Sequence, residues 1–182
     1  MERKYQEIFV IYCEYCYTCF MQIITPPHKK QSRLVKDKDM DKIRELLEPL
    51  FQLCHKPIGK FPGGKALCHC QIESDDPLRF FVLADGSAVI NPEIVMKERP
   101  TISQEGCLSW PFRDVKKVRR FYKISVNFKH LRIPLTKKEK LMQKFKKGNL
   151  ILKEYKGKII EGDLAFIFQH EIDHFNGNTI YG

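Results

Sequence analysis

The stretch Ala165–Asn178, AFIFQHEIDHFNGN, carries two patterns at once. Leu164, Ile167, Phe168, Ile172 and Phe175 recur at helical spacing and predict a broadly apolar, buried helix ending near Gly177. On that helix His170 and His174 project from one face, with Glu171 beside the first. The His-Glu-x-x-His arrangement places two ligands for one divalent ion next to a carboxylate able to move a proton. Isolated His and Glu on so apolar a helix would be costly to bury without a metal. A metal site is therefore expected rather than a chance match.

Working outward, the first question is the third ligand. The segment that follows, FNGNTIYG, contains no Glu, Asp, His or Cys, which excludes hydrolases that take a glutamate from downstream. The longer pattern His-Glu-x-x-His-x-x-Gly-x-x-His matches as far as Gly177 and then meets Ile180 where a histidine belongs. The ligand must come from upstream, where the candidates are Cys54, Cys68, His69, Cys70, Cys107 and His130.

The elements upstream are mostly strands. Asp39 is placed to cap a helix over Met40–Cys54, on which Met40, Ile43, Leu46, Leu47, Leu50 and Cys54 form one face and Pro49 introduces a kink. The Gly/Pro-punctuated run KPIGKFPGGKALCHCQ follows, then β-rich runs at Arg79–Ala84 and Ser87–Val95 around the turn pair Asp85-Gly86. Lys123–Phe128 and Asn149–Tyr155 read as further strands, and the lysine-rich Thr136–Asn149 between them as a solvated helix or loop. Strands that precede a late helix without regular alternation predict an α+β fold: antiparallel or mixed sheets around a buried C-terminal helix.

The whole chain bounds this reading. Its 182 residues, 43% hydrophobic, suit one globular domain. A formal charge of +10 favours acidic partners such as nucleic acid or a ribosomal surface without choosing among them. Seven cysteines without a repeated disulfide spacing predict a reducing compartment, the cytoplasm or an organelle matrix. The partly apolar Ile8–Ile24 is interrupted by Glu14 and Gln22 and is too short for a membrane span, so no membrane partner is expected. Residues 1–20 differ from the rest in their aromatic and cysteine content and are read as an N-terminal extension, with 21–182 as the domain. Cys13, Cys16 and Cys19 are read there as simple thiols, since a structural zinc site needs four ligands.

Glu105-Gly106-Cys107-Leu108-Ser109, followed by Gln169-His170-Glu171-Ile172-Asp173-His174, resembles the peptide deformylases, as does the start IITPP at Ile23. The resemblance covers most of the chain from about Met21. It implies that Cys107, His170 and His174 ligate one divalent ion, ferrous iron with zinc, nickel or cobalt as alternatives. It further implies that Glu171 is the general acid/base, that Gln71 and the backbone N–H of Leu108 stabilise an oxyanion, and that the substrate is an N-formylmethionyl peptide. Arg119 falls where the family has an arginine. In the family's remaining motif, Gly-x-Gly-Leu-Ala-Ala-Pro-Gln, this chain reads Gly64-Lys65-Ala66-Leu67-Cys68-His69-Cys70-Gln71. Ala66 is then expected to crowd the peptide and His69 to press on its neighbours or the pocket. Two other readings follow from these departures: a hydrolase of another formyl or acyl amide, or a metal-binding homologue that contacts RNA or the ribosome.

Overall fold

The computed structural model describes residues 21, 23, 24, 31–132 and 151–182. The expectations for residues 1–20 and for the lysine-rich Thr136–Asn149 lie outside the described residues.

The elements run α1 (Met40–His55), β1 (Ala66–Cys68), a 3-10 turn (His69–Gln71), β2 (Phe80–Leu83), β3 (Ala88–Glu105), β4 (Lys116–Arg132), β5 (Ile151–Glu161) and α2 (Asp163–Phe175). The strands form one antiparallel sheet in chain order, β1-β2-β3-β4-β5. Neighbours in sequence are neighbours in space, as is usual for antiparallel strands met in chain order. The β2–β3 turn uses Asp85 and Gly86 as expected: the Asp85 carboxylate accepts from Ser87 N–H, and Gly86 takes the positive φ of 81° that the turn demands. The fold is α+β, as its strand-then-helix order predicts.

Strand alternation divides the apolar residues between two cores. Leu67, Phe80, Val82, Ala88 and Ile90 pack with Ile43, Leu47, Leu50 and Leu53 of α1 on one side. Ala66, Cys68, Phe81, Val89, Ile124 and Val126 pack with Ala165, Phe168 and Phe175 of α2 on the other. Each helix therefore covers its own side of the sheet; of the stripe read from the α2 sequence, Phe168 and Phe175 are buried, Ile167 and Ile172 are half-buried, and Leu164 in the first turn is 42% exposed. The helix ends where the sequence places its end: Gly177 adopts φ 77° and donates to the carbonyl of His174, while Asn178 donates to that of Asp173.

Three local expectations change. Asp39 does not cap α1 with its side chain; its carboxylate accepts the Lys36 N–H at 2.8 Å and receives the Arg33 guanidinium at 2.8 and 2.9 Å. The charged guanidinium and the Lys36 N–H together outcompete the helix N–H groups for the same oxygens. α1 is continuous through Pro49. β5 extends well past Tyr155: Gly157, at φ 59°, forms a bulge opposite Asn127, whose Oδ1 accepts its N–H at 2.8 Å.

Candidate active site

Two short motifs distant in sequence meet on the α2 side of the sheet. β3 ends at Glu105, and the chain then turns through Cys107–Trp110, closed by a hydrogen bond from Trp110 N–H to Cys107 O at 2.9 Å. Leu108 and Ser109 thus lie in a turn and not in a strand. The turn is fixed from outside by Tyr181, whose hydroxyl donates to Asp114 O at 2.5 Å and whose ring packs edge-on against Trp110. Glycine at 106 lets the Phe61 ring pack against the turn, since a Cβ there would sit 2.5 Å from it and force the ring to shift.

Cys107 Sγ, a ring nitrogen of His170 and a ring nitrogen of His174 lie within 4.8 Å of one another. Cys107 Sγ is 3.3 Å from His174 Nε2, which is 3.2 Å from His170 Nε2. Of the upstream candidates, Cys107 is the one that joins the histidines among the described residues. Three lone-pair donors turned toward a common point, two nitrogens and a sulfur, form a donor set that suits a divalent transition ion. The residues present fit such an ion.

The far side of His170 is anchored as well. Its Nδ1 lies 2.9 Å from Glu105 Oε2, leaving Nε2 to face the cluster. Glu105 is also gripped by Arg120 through Nε at 2.8 Å and Nη2 at 2.9 Å, and it accepts from the Ser103 hydroxyl. Arg120 continues to Asp173 at 2.6 Å, tying the network back to α2. Burial alone would push the Glu105 carboxyl up, but the hydrogen bonds from Arg120, His170 and Ser103 outweigh it and hold the group at about 2. The buried arginine is therefore Arg120, while Arg119 is exposed. The signal was present in the alternation: Arg120 shares its strand face with Ile124 and Val126, and Arg119 lies on the opposite one. Ser103 and Asp173 carried no such signal.

Glu171 is 4% exposed, and its Oε2 has no protein partner. Burial raises its carboxyl above the ordinary range. Gln71, 2% exposed, donates from Nε2 to Ser109 Oγ at 3.1 Å and lies 3.7 Å from Cys107 Sγ. A cavity of about 540 Å³ opens onto this group, lined by Gln71, Cys107, Leu108, His170 and Glu171 and walled by Phe61, Ile102, Val115, Phe166 and Ile167. Gly64 and Ala66 of the altered motif also line it. His69 does not. Its ring faces the α1 side, stacked 5.2 Å from Phe80, with Nδ1 accepting the Leu78 N–H at 2.8 Å. The expected pressure on the pocket is thus absent, because the strand sends 66 and 68 toward α2 and the 3-10 turn that begins at His69 carries its ring to the α1 side.

A family model described as polypeptide deformylase matches residues 20–182. A peptide deformylase of Thermotoga petrophila is 37% identical over 162 residues, covering 78% of this chain and 85% of the relative. The crystal structure of peptide deformylase from Thermotoga maritima superposes with a TM-score of 0.58 at 27% identity, covering 88% of this chain and 94% of that one. The Ehrlichia chaffeensis enzyme, solved in complex with actinonin, gives a TM-score of 0.61 at 25% identity, covering 86% and 84%.

Proposed function

Because this chain belongs to the polypeptide deformylase family, we propose that its deformylation site is built from Cys107, His170 and His174 as ion ligands, Glu171 as proton carrier, and Gln71 with Leu108 as oxyanion donors. The protein is a hydrolase that removes the formyl group from the N-terminal methionine of peptides, in a family that is metal-dependent. The observation that carries the site assignment is the convergence of one sulfur and two ring nitrogens beside a buried carboxyl with an unpartnered oxygen.

A divalent ion held by the three ligands supplies Lewis acidity, making water nucleophilic near neutral pH. The apolar walls Phe61, Ile102, Val115, Phe166 and Ile167 suit an unbranched, apolar N-terminal side chain such as methionine. Glu171 takes a proton from the attacking water and returns it to the leaving amine as the formyl C–N bond breaks, so formate and a free α-amino group are released. The Gln71 Nε2–H and the Leu108 backbone N–H donate to the oxygen of the former formyl carbonyl as it gains charge. Glu105 and Arg120 orient His170 from behind.

Ferrous iron is the proposed ion, with zinc, nickel or cobalt as alternatives that the same thiolate–imidazole set accepts. The +10 charge and the lysine-rich Thr136–Asn149 support contact with a ribosomal surface, and the cysteine usage supports the cytoplasm or an organelle matrix. No helix among the described residues is long and apolar enough to cross a membrane.

Protein purified without oxygen should release formate from formyl-Met peptides. Glu171→Ala should keep the metal content and lose turnover by about 100-fold or more, whereas Cys107→Ala should lose bound metal. Turnover unchanged in Glu171→Ala, or metal content unchanged in Cys107→Ala, would remove that residue from its role.

A further inference from the structure

β1 meets α2 at Cys68, whose thiol lies beside both Gln71 and Glu171. Cys68 Sγ lies 3.3 Å from Gln71 Oε1, and the Cys68 backbone N–H donates to the same oxygen at 3.1 Å. The acceptor end of the Gln71 carboxamide is thus held by two donors, leaving Nε2 turned to Ser109 Oγ and Cys107 Sγ. Cys70 Sγ closes the other side of the Cys68 thiol at 3.1 Å. Cys68 is fully buried, and burial pushes its thiol well above the usual range, so the S–H proton stays in place.

The two ends of a carboxamide are alike in shape and opposite in polarity. Rotated by half a turn, Gln71 would aim a carbonyl oxygen at the Cys107 sulfur and at the developing oxyanion, opposing the reaction. Whatever fixes Oε1 therefore fixes the donor. The alanine of the family motif at this position can offer its backbone N–H but has no side-chain donor.

We infer that Cys68 is a positioning residue for deformylation in this chain: its thiol and its own N–H clamp the Gln71 carboxamide with the amide hydrogens toward the reacting carbonyl. The inference rests on the deformylase reading. Cys68 reacts with nothing; its effect passes through Gln71, so it shows in turnover more than in substrate affinity.

The test uses the full-length, zinc-loaded protein, with formyl-Met peptide kinetics and the ¹⁵N–¹H signals of the Gln71 carboxamide, assigned by their loss in Gln71→Ala. Cys68→Ala should lower kcat about fivefold, the worth of one neutral hydrogen bond, with KM little changed and the carboxamide signals shifted or broadened. Cys68→Ser keeps a donor and should restore both readouts. Added to Gln71→Ala, the Cys68→Ala change should cost nothing further in kcat. Wild-type kcat with unshifted signals in Cys68→Ala overturns the clamp, as does an equal loss in the alanine and serine variants or full additivity with Gln71→Ala. Wild-type protein that binds zinc but releases no formate overturns the deformylase reading instead, and the carboxamide signals alone then decide whether Cys68 clamps Gln71.

Discussion

His69 stands where the family resemblance expects alanine, and its consequence is for stability and not for the substrate. Burial, and secondarily the positive charge of Lys42, lower its imidazole to about 4, and its Nδ1 lone pair is used by the Leu78 N–H. Protonating Nδ1 would remove that acceptor. The native state therefore holds His69 neutral while the unfolded chain protonates it near its ordinary value of 6.5. The unfolded state binds more protons below that point, so stability is full above about 6.5 and falls as pH drops toward about 4, by up to roughly 3 kcal/mol. His69→Asn places an acceptor near the Nδ1 position and cannot titrate. Urea unfolding at pH 7 and pH 4.5 should show a smaller loss in this variant than in wild type, and equal losses would mean His69 is not the sensitive group. Deformylation per folded molecule should be the same in both, since the ring lies outside the cavity. At this scale the proposed ligands were legible because Cys107, His170 and His174 sit in two contiguous motifs. The partners that orient them were not: Glu105 and Arg120 meet only through the β3–β4 register, which no local pattern announces.

α2 is docked by one side chain that behaves like backbone. β4 and β5 pair from Lys123 and Glu161 onward, and just beyond that end the Gln169 carboxamide takes over. It accepts the Phe121 N–H at 2.9 Å and donates to Phe121 O at 2.8 Å, with a further bond to Ala165 O. The helix is thereby latched to the ladder beside the proposed ligand His170. Gln169→Leu should leave the Phe121 groups unsatisfied and destabilise the protein by about 2–4 kcal/mol. Metal content should fall as well, because His170 and His174 ride on the same helix. A variant with unaltered melting and full metal occupancy would show that apolar packing alone seats α2. Among elements, both helices and the β2–β3 hairpin were legible from period and turn chemistry. The length of β3 was not: Asn91 and Arg99 take positive φ of 50° and 54°, and the pairing with β4 slips between Ile90 and Met96. Asn91 is held there by its side chain, which bonds both the N–H and the C=O of Val35. With Pro92 and Pro100 in the same stretch, the sequence reads as a strand that stops, and tertiary pairing carries it on to the cysteine turn.

For the molecule as a whole, the site depends on a sheet with a helix on either side, and its proposed ligands, proton carrier and oxyanion donors all lie between Gln71 and His174. The family match begins at residue 20, and we propose that residues 1–20 are an extension outside the deformylase domain. Protein comprising residues 21–182 should keep its metal content, with kcat/KM within about twofold of the full chain, a change too small to signal a lost contact. Insoluble or metal-free protein would instead assign those residues to the core. The order of the sheet has a separate outcome for life in a crowded solution. β5 is its last strand, and among the described residues no other strand pairs with its outer edge. A bare edge of this length invites a second copy to add itself and so begin an aggregate. Exposed Lys153, Glu154, Lys156 and Lys158 set charge along it, and the bulge at Gly157 breaks the straight run of N–H and C=O groups an incoming strand would need. Resistance to strand-by-strand growth is thus written into three lysines and one kink, independently of the protein's net charge.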